Sequence, residues 1–200
     1  MKAAKHGRFG TIILLALVFA SALLFATLVT QGFAPLWRTQ IGQQALDRWL
    51  RFRAHVPEGT PMARAGEALP QVELADLQGA RIPLPAAYLG KPLLINLWAT
   101  WCGPCLREMP LLDALSASGT TRVVGVAWDE AADVRAFVQQ RAPGYPVLLA
   151  TPTKANATLF GDPSGVLPYT VLVDGKGRVV RQHVGPFESA DELAAWVKVD

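Results

Sequence analysis

Two cysteines are the only ones in the 200 residues, and they stand three apart in Trp101-Cys102-Gly103-Pro104-Cys105. If the segment after Cys102 is helical, an i,i+3 pair shares one face and the two sulfurs come within bonding distance. That is the spacing of a dithiol that opens and closes. Two cysteines cannot complete a four-coordinate zinc site, and no second CxxC or nearby His pair supplies the missing ligands, so no metal is expected. An inert stabilising disulfide explains the pair poorly, because closing so short a loop removes little chain entropy. At a helix N-terminus, unpaired backbone N–H groups and the macrodipole favour negative charge, which predicts a stabilised thiolate at Cys102. The thiolate is the nucleophile of disulfide exchange, so Cys102 is expected to attack and Cys105, one turn inside, to resolve. Pro104 falls in the first turn, where its missing N–H costs little, and Gly103 lets another chain approach the outer sulfur.

The element that must carry this motif lies directly before it. Lys91 to Ala99 is a nearly continuous apolar run of the kind found in a strand buried on both faces. A strand running into a cysteine at a helix start resembles the thioredoxin βα unit. The stretch Ile95-Asn96-Leu97-Trp98-Ala99-Thr100-Trp101-Cys102-Gly103-Pro104-Cys105-Leu106-Arg107-Glu108-Met109-Pro110 resembles the active-site segment of the TlpA/ResA-like, membrane-anchored thiol-disulfide oxidoreductases, a thioredoxin-superfamily group near DsbE/CcmG. In this resemblance, the position where thioredoxin carries a buried Asp is Asn96, which cannot accept a proton. Glu108, three residues after Cys105, matches the Glu of the family's CxxCxxE pattern and is the expected acid-base group.

The resemblance implies an α/β thioredoxin-like fold, a central mixed sheet flanked by helices. An N-terminal hairpin, a membrane-proximal helix and one transmembrane helix are expected before it. The chain opens with Lys2, Lys5 and Arg8, then runs from Thr11 to Val29 without a charged residue, nineteen residues and enough for a helix to cross a bilayer. Ala20-Ser21-Ala22 could be a signal cleavage site, but Leu23, Leu24, Phe25, Leu28 and Val29 prolong the apolar stretch as a retained anchor would. The expected division is a cytoplasmic N-terminus at 1–10, an anchor at 11–30, a basic, tryptophan-bearing helix within 31–56, a linker at 57–68 and the thioredoxin-like domain at 69–200. The basic residues before the span place that domain on the extracytoplasmic or periplasmic side of the cytoplasmic membrane. Residues 1–68 hold 8 Lys+Arg against 3 Asp+Glu, and residues 69–200 hold 11 against 13. The basic excess therefore belongs to the membrane-proximal part, which speaks for anionic lipid and against nucleic acid.

Within the domain, Val72 to Leu77 and Arg81 to Leu84 read as a short hairpin laid before the main fold. After the CxxC helix, which Pro110 should kink, Arg122 to Trp128 reads as a buried strand and Asp129 to Arg141 as an amphipathic helix. Tyr145 to Ala150 is a brief strand and Thr153 to Phe160 a short helix or loop. Thr170 to Asp174 and Arg178 to Val184 form a hairpin, and Ser189 caps a closing helix. Strand, helix, strand, helix predicts parallel pairing.

Leu167-Pro168-Tyr169 completes the expected site. Pro168 matches the cis-proline that faces the CxxC motif in thioredoxin-like folds, where the preceding backbone pairs with an incoming peptide. The expected substrate-contacting residues are thus Trp101, Gly103, Pro104, Leu167, Pro168 and Tyr169, with Tyr145 and the loop 162–165 as sources of specificity. The cytochrome c maturation members carry an acidic residue after this proline, and Tyr169 departs from that pattern. His183 is expected on the surface of the last strand.

No diffusible cofactor is expected. The resemblance implies that disulfide-containing exported proteins are substrates, in cytochrome c or copper-protein maturation, and that a membrane electron donor of the DsbD or CcdA type recharges the dithiol. Gly103-Pro104 resembles thioredoxin's dipeptide and favours the reducing direction. The alternatives are a disulfide-introducing oxidase and a noncatalytic factor that delivers Cu(I) on the two thiols.

Overall fold

The computed structural model describes residues 61–162 and 164–198, together with the helical positions Val18, Ser21, Ala45 and Trp49. The expected anchor and the expected membrane-proximal helix fall outside these residues, apart from those four positions. Among the described residues no helix is long and apolar enough to cross a membrane.

Seven described strands form one mixed sheet in the order β2-β1-β5-β4-β3-β6-β7. They are β1 (Val72–Asp76), β2 (Arg81–Leu84), β3 (Leu93–Trp98), β4 (Arg122–Trp128), β5 (Val147–Ala150), β6 (Tyr169–Val173) and β7 (Val179–Val184). The helices are α1 (Gly103–Ser118), α2 (Ala131–Gln140), α3 (Lys154–Leu159) and α4 (Ala190–Trp196). β3 is buried at all six positions, as its unbroken apolar run requires. Its centre is parallel to β4, with Asn96 opposite Gly125, and antiparallel to β6, with Asn96 opposite Thr170. β4 and β5 are parallel too, as predicted.

Two expectations change. The β1–β2 hairpin is not a separate preface, because β1 pairs with β5 through Ala75 and Leu149 and so extends the sheet by two strands. The segment before Leu69 is not a linker throughout. Ala63 is fully buried, its N–H donates to Leu159 O at 3.0 Å, and Gly66 N–H donates to Val179 O at 2.8 Å. Unsatisfied buried backbone is costly, so these bonds make Met62 to Ala68 part of the domain.

α1 runs through Pro110 and stops at Gly119, whose φ of 69° gives the left-handed cap that a side chain would resist. It lies over two apolar clusters. Leu94, Leu112, Val123, Leu172, Phe187 and Leu193 join α1 to α4, and Trp98, Met109, Ala127 and Val134 join it to α2. The cysteines belong to the second cluster.

Candidate active site

Cys102 is the N-cap of α1 and Pro104 lies in the first turn, as the sequence predicts. The Cys102 sulfur accepts the Cys105 N–H at 3.3 Å, and Leu106 N–H donates to Cys102 O at 3.1 Å. The two sulfurs are joined as a disulfide, with the Cα atoms 5.3 Å apart. Both cysteines are buried, Cys102 with 5% of its surface exposed and Cys105 with 1%, so the outer residue is the more accessible of the two. Beside it Trp101 is 68% exposed, an unusual amount of apolar surface left in solvent and a ready contact for a partner.

The turn that carries Cys102 is pinned from the neighbouring strand, by a residue that no sequence motif marks. Asp129, just beyond β4, accepts from Thr100 N–H at 3.0 Å and from the Thr100 hydroxyl at 2.5 Å on one carboxylate oxygen. Its other oxygen accepts the Glu130 N–H at 2.8 Å. Parallel pairing of β3 and β4 sets their C-terminal ends side by side, and only then do Thr100 and Asp129 meet. Removing the clamp with Asp129→Ala or Thr100→Val is expected to slow Cys102 attack about tenfold, the worth of one charge-assisted hydrogen bond. The rate should be taken by stopped flow at a pH where Cys102 is fully ionised. There a change in thiol acidity no longer matters, and an unchanged plateau rate would show that the clamp does not orient the sulfur.

Across from the motif, the Leu167–Pro168 peptide is cis, and Leu167 packs against the cluster that holds both cysteines. Pro168 O accepts the Gly185 N–H at 2.9 Å. Tyr169, expected to contact substrate, is 1% exposed and its hydroxyl donates to Gly161 O at 2.9 Å. It ties down the loop that leads to Pro168 instead of facing a partner. β6 is buried at all five positions, so neither face of the strand leaves a side chain to solvent. Tyr145 is likewise buried, in the α1–α4 cluster, and its hydroxyl is pushed up from its ordinary acidity by burial and then by the charges of Asp113 and Glu108.

Glu108 is 1% exposed, although its sequence context would suit a solvated helix face. Asn96 Nδ2 donates to its Oε1 at 2.9 Å, and Phe187 N–H donates to its Oε2 at 2.9 Å. Burial lifts its pKa from 4.5 to about 7; the two hydrogen bonds oppose the rise, and Glu192 and Glu188 add to it. A carboxyl that titrates near neutrality one helical turn from Cys105 is suited to giving and taking a proton there. His183 is not on the surface as expected. It is 4% exposed and stacks on Phe187 with ring centroids 4.2 Å apart. Burial lowers its pKa from 6.5, while Glu192 and the carbonyls of Pro186 and Gly185 pull it back.

The model of the redoxin family matches residues 64–196 of the chain. The chain belongs to the redoxin family. Its domain is 38% identical over 133 residues to the thiol:disulfide interchange protein HelX of Rhodobacter capsulatus, covering 65% of this chain and 73% of HelX. A DsbE homologue of Paracoccus denitrificans is 30% identical over 175 residues, covering 86% of this chain and 89% of its own. ResA of Bacillus thuringiensis is 31% identical over 137 residues, covering 66% of this chain and 76% of its own. Among solved structures, a DsbF homologue from Corynebacterium diphtheriae superposes with a TM-score of 0.56 at 26% identity, over 70% of this chain and 94% of that one. The redoxin domain is thus thioredoxin-like, and the protein is a thiol-disulfide oxidoreductase of the TlpA/ResA/DsbE type.

Proposed function

We propose that this oxidoreductase works as a dithiol reductase of exported proteins, anchored to the cytoplasmic membrane by residues 11–30. The observation that carries the reading is the inequality of the two cysteines: one caps the helix N-terminus and is the more exposed, and the other is buried one turn behind it. The Cys102 thiolate attacks a substrate disulfide, forms a mixed disulfide and expels one substrate thiolate. The Cys105 thiolate then attacks the Cys102 sulfur, closes the Cys102–Cys105 bond and expels the second. Two electrons pass to the substrate, and the two departing thiolates take up two protons. Glu108 accepts the Cys105 proton as that thiol becomes a nucleophile.

Trp101, Gly103, Pro104, Leu167 and Pro168 make up the surface on which an extended substrate segment lies beside the outer sulfur. The buried Tyr169 supports that surface from below. No protein group can restore the dithiol within the chain itself, so a membrane donor of the DsbD or CcdA type returns it to the reduced form. The maturation of cytochromes c or copper proteins, processes in which exported thiols must be held reduced, supplies the substrates on this reading.

The test is the reduction potential of the Cys102/Cys105 couple in the full-length chain, equilibrated against a defined thiol buffer. A value near about −270 mV supports the reductase, and one near about −120 mV makes the protein a disulfide donor instead. Tight Cu(I) binding by a chain that exchanges no disulfides would replace both with metal delivery.

A further inference from the structure

The buried end of the site holds an amide whose bonding is one-sided. Asn96 is 1% exposed in the middle of β3, and its Nδ2 makes two hydrogen bonds, to Glu108 Oε1 at 2.9 Å and to Thr170 Oγ1 at 3.0 Å. Its Oδ1, equally buried, has no hydrogen-bond partner. Each acceptor is held on a different element. Glu108 hangs from α1, while Thr170 is opposite Asn96 on β6. An amide in this position suits an ionised Glu108, whose oxygens only accept.

Protonation reverses the requirement. Glu108 Oε2 faces the Phe187 N–H, a backbone donor that cannot turn away, so the added proton belongs on Oε1. There it would point at another donor, the Asn96 Nδ2. Turning the Asn96 amide by half a rotation brings Oδ1 into that place, where its two lone pairs accept from the Glu108 O–H and from the Thr170 hydroxyl. The turn exchanges the orphaned Oδ1 acceptor for the two N–H donors of Nδ2 at the same place, so one amide atom is without a partner in either state. Neither Thr170, which is fully buried, nor Glu108 has to shift.

We propose that Asn96 is a reversible amide that follows the proton on Glu108, donating to the carboxylate and accepting from the acid. It is a positioning residue, since it acts on the reacting sulfurs only through Glu108, and the proposal rests on the reading of Glu108 as the proton-transfer group. Its consequence for the reaction is that Glu108 finds a matched partner in either state. A deeply buried acid can then release and recover its proton within one cycle of Cys105 without either of its own oxygens facing a mismatched partner. The titratable groups packed around it are Glu188 and Glu192 next to and on α4, His183 on β7, which is opposite Thr170, and Tyr145 before β5. Of these, Glu188 and Glu192 raise the pKa of Glu108 when ionised, while Asn96 is the side chain hydrogen-bonded to it.

The chain contains two asparagines, Asn96 and Asn156, which makes the test direct. The full-length protein is labelled with 15N in asparagine side chains and with 13C in glutamate carboxyls, and spectra are taken from pH 5 to pH 9. Asn156, which donates to Thr151 O at an exposed site, is the internal control. Cross-relaxation between the Asn96 amide protons and the Thr170 side chain is expected at pH 9. It should be lost at pH 5, with the midpoint of the Glu108 carboxyl signal, while Asn156 does not change. Persistence of that contact at both ends of a Glu108 titration overturns the proposal, because the amide then stays put while the acid changes state. A Glu108 signal that does not titrate in this range overturns the acid reading and the proposal with it. As a functional readout, Asn96→Ala is expected to leave the Glu108 midpoint within about half a pH unit, since acid and carboxylate each lose a partner, whereas a rise of about one unit or more would mark Asn96 as a fixed donor to the carboxylate and overturn the proposal. The pH profile of Cys105 attack should keep its midpoint accordingly, and a profile displaced upward by about one unit is the signature of the fixed donor.

Discussion

Cys102→Ser is expected to remove disulfide exchange, lowering the turnover rate at least about 10³-fold, because a serine hydroxyl does not ionise at working pH and cannot displace sulfur. Cys105→Ser should behave differently. Its Cys102 still attacks, but no internal thiol resolves the product, so a mixed disulfide with substrate accumulates. Mass spectrometry of the chain incubated with a disulfide-containing protein separates the two cases. Accumulation on Cys105 in the Cys102→Ser chain, with none in Cys105→Ser, would reverse the assigned roles. The geometry argues for attack by Cys102 and resolution by Cys105, since Cys105 is 1% exposed behind the Cys102 sulfur. Loss of the disulfide itself should cost oxidised protein only about 2 kcal/mol of stability, the loop-entropy value for so short a ring.

Glu108→Gln is expected to change both the pH profile and the pH dependence of stability. In the folded chain Glu108 titrates near about 7 against 4.5 for an unperturbed group. Between those values the folded state holds a proton that the unfolded chain has released, so stability from this group is full below 4.5 and is lost as pH rises to 7. The loss amounts to about 3 kcal/mol at 1.36 kcal/mol per unit. Gln resembles the protonated acid: its oxygen can accept the Phe187 N–H, and its amide can donate to a turned Asn96. The variant should therefore be more stable than the parent at pH 8 and equal to it at pH 4. His183 works in the opposite sense, since its lowered pKa makes stability rise with pH below 6.5. Urea unfolding of both chains across pH 4 to 8 isolates Glu108 as their difference, and parallel curves would show that it is not buried as an acid. The same variant should slow Cys105 attack about 10²-fold near neutrality, the usual worth of one general base, with little effect on the Cys102 step.

Much of this molecule is local, and that part was legible. The strand before the motif, the helix after it, the parallel β3-α1-β4-α2-β5 run and the hairpin of β6 and β7 follow from unbroken apolar runs, turn residues and helix caps, all of which act between near neighbours. The cysteine pair follows from spacing, and the unequal roles proposed for its members rest on the electrostatics of a helix N-terminus. The positions misread are those whose environment is made by distant chain. Composition marks Met62 to Ala68 as a linker, but Leu159 and Val179 supply its hydrogen-bond partners, about a hundred residues on. Tyr169 and Tyr145 look like recognition residues until the packed core buries them, and His183 looks exposed until α4 and the Phe187 ring close over it.

By itself, then, the sequence determined the reaction, because exchange chemistry needs only two thiols at helical spacing and a helix end to ionise one of them. The tertiary structure decided how that chemistry is supported. It set Asp129 against Thr100, closed Asn96, Thr170 and Phe187 around Glu108, and so gave an ordinary glutamate a pKa of about 7. Burial and the pairing of groups 12 to 79 residues apart are properties of the folded sheet, which no local pattern encodes.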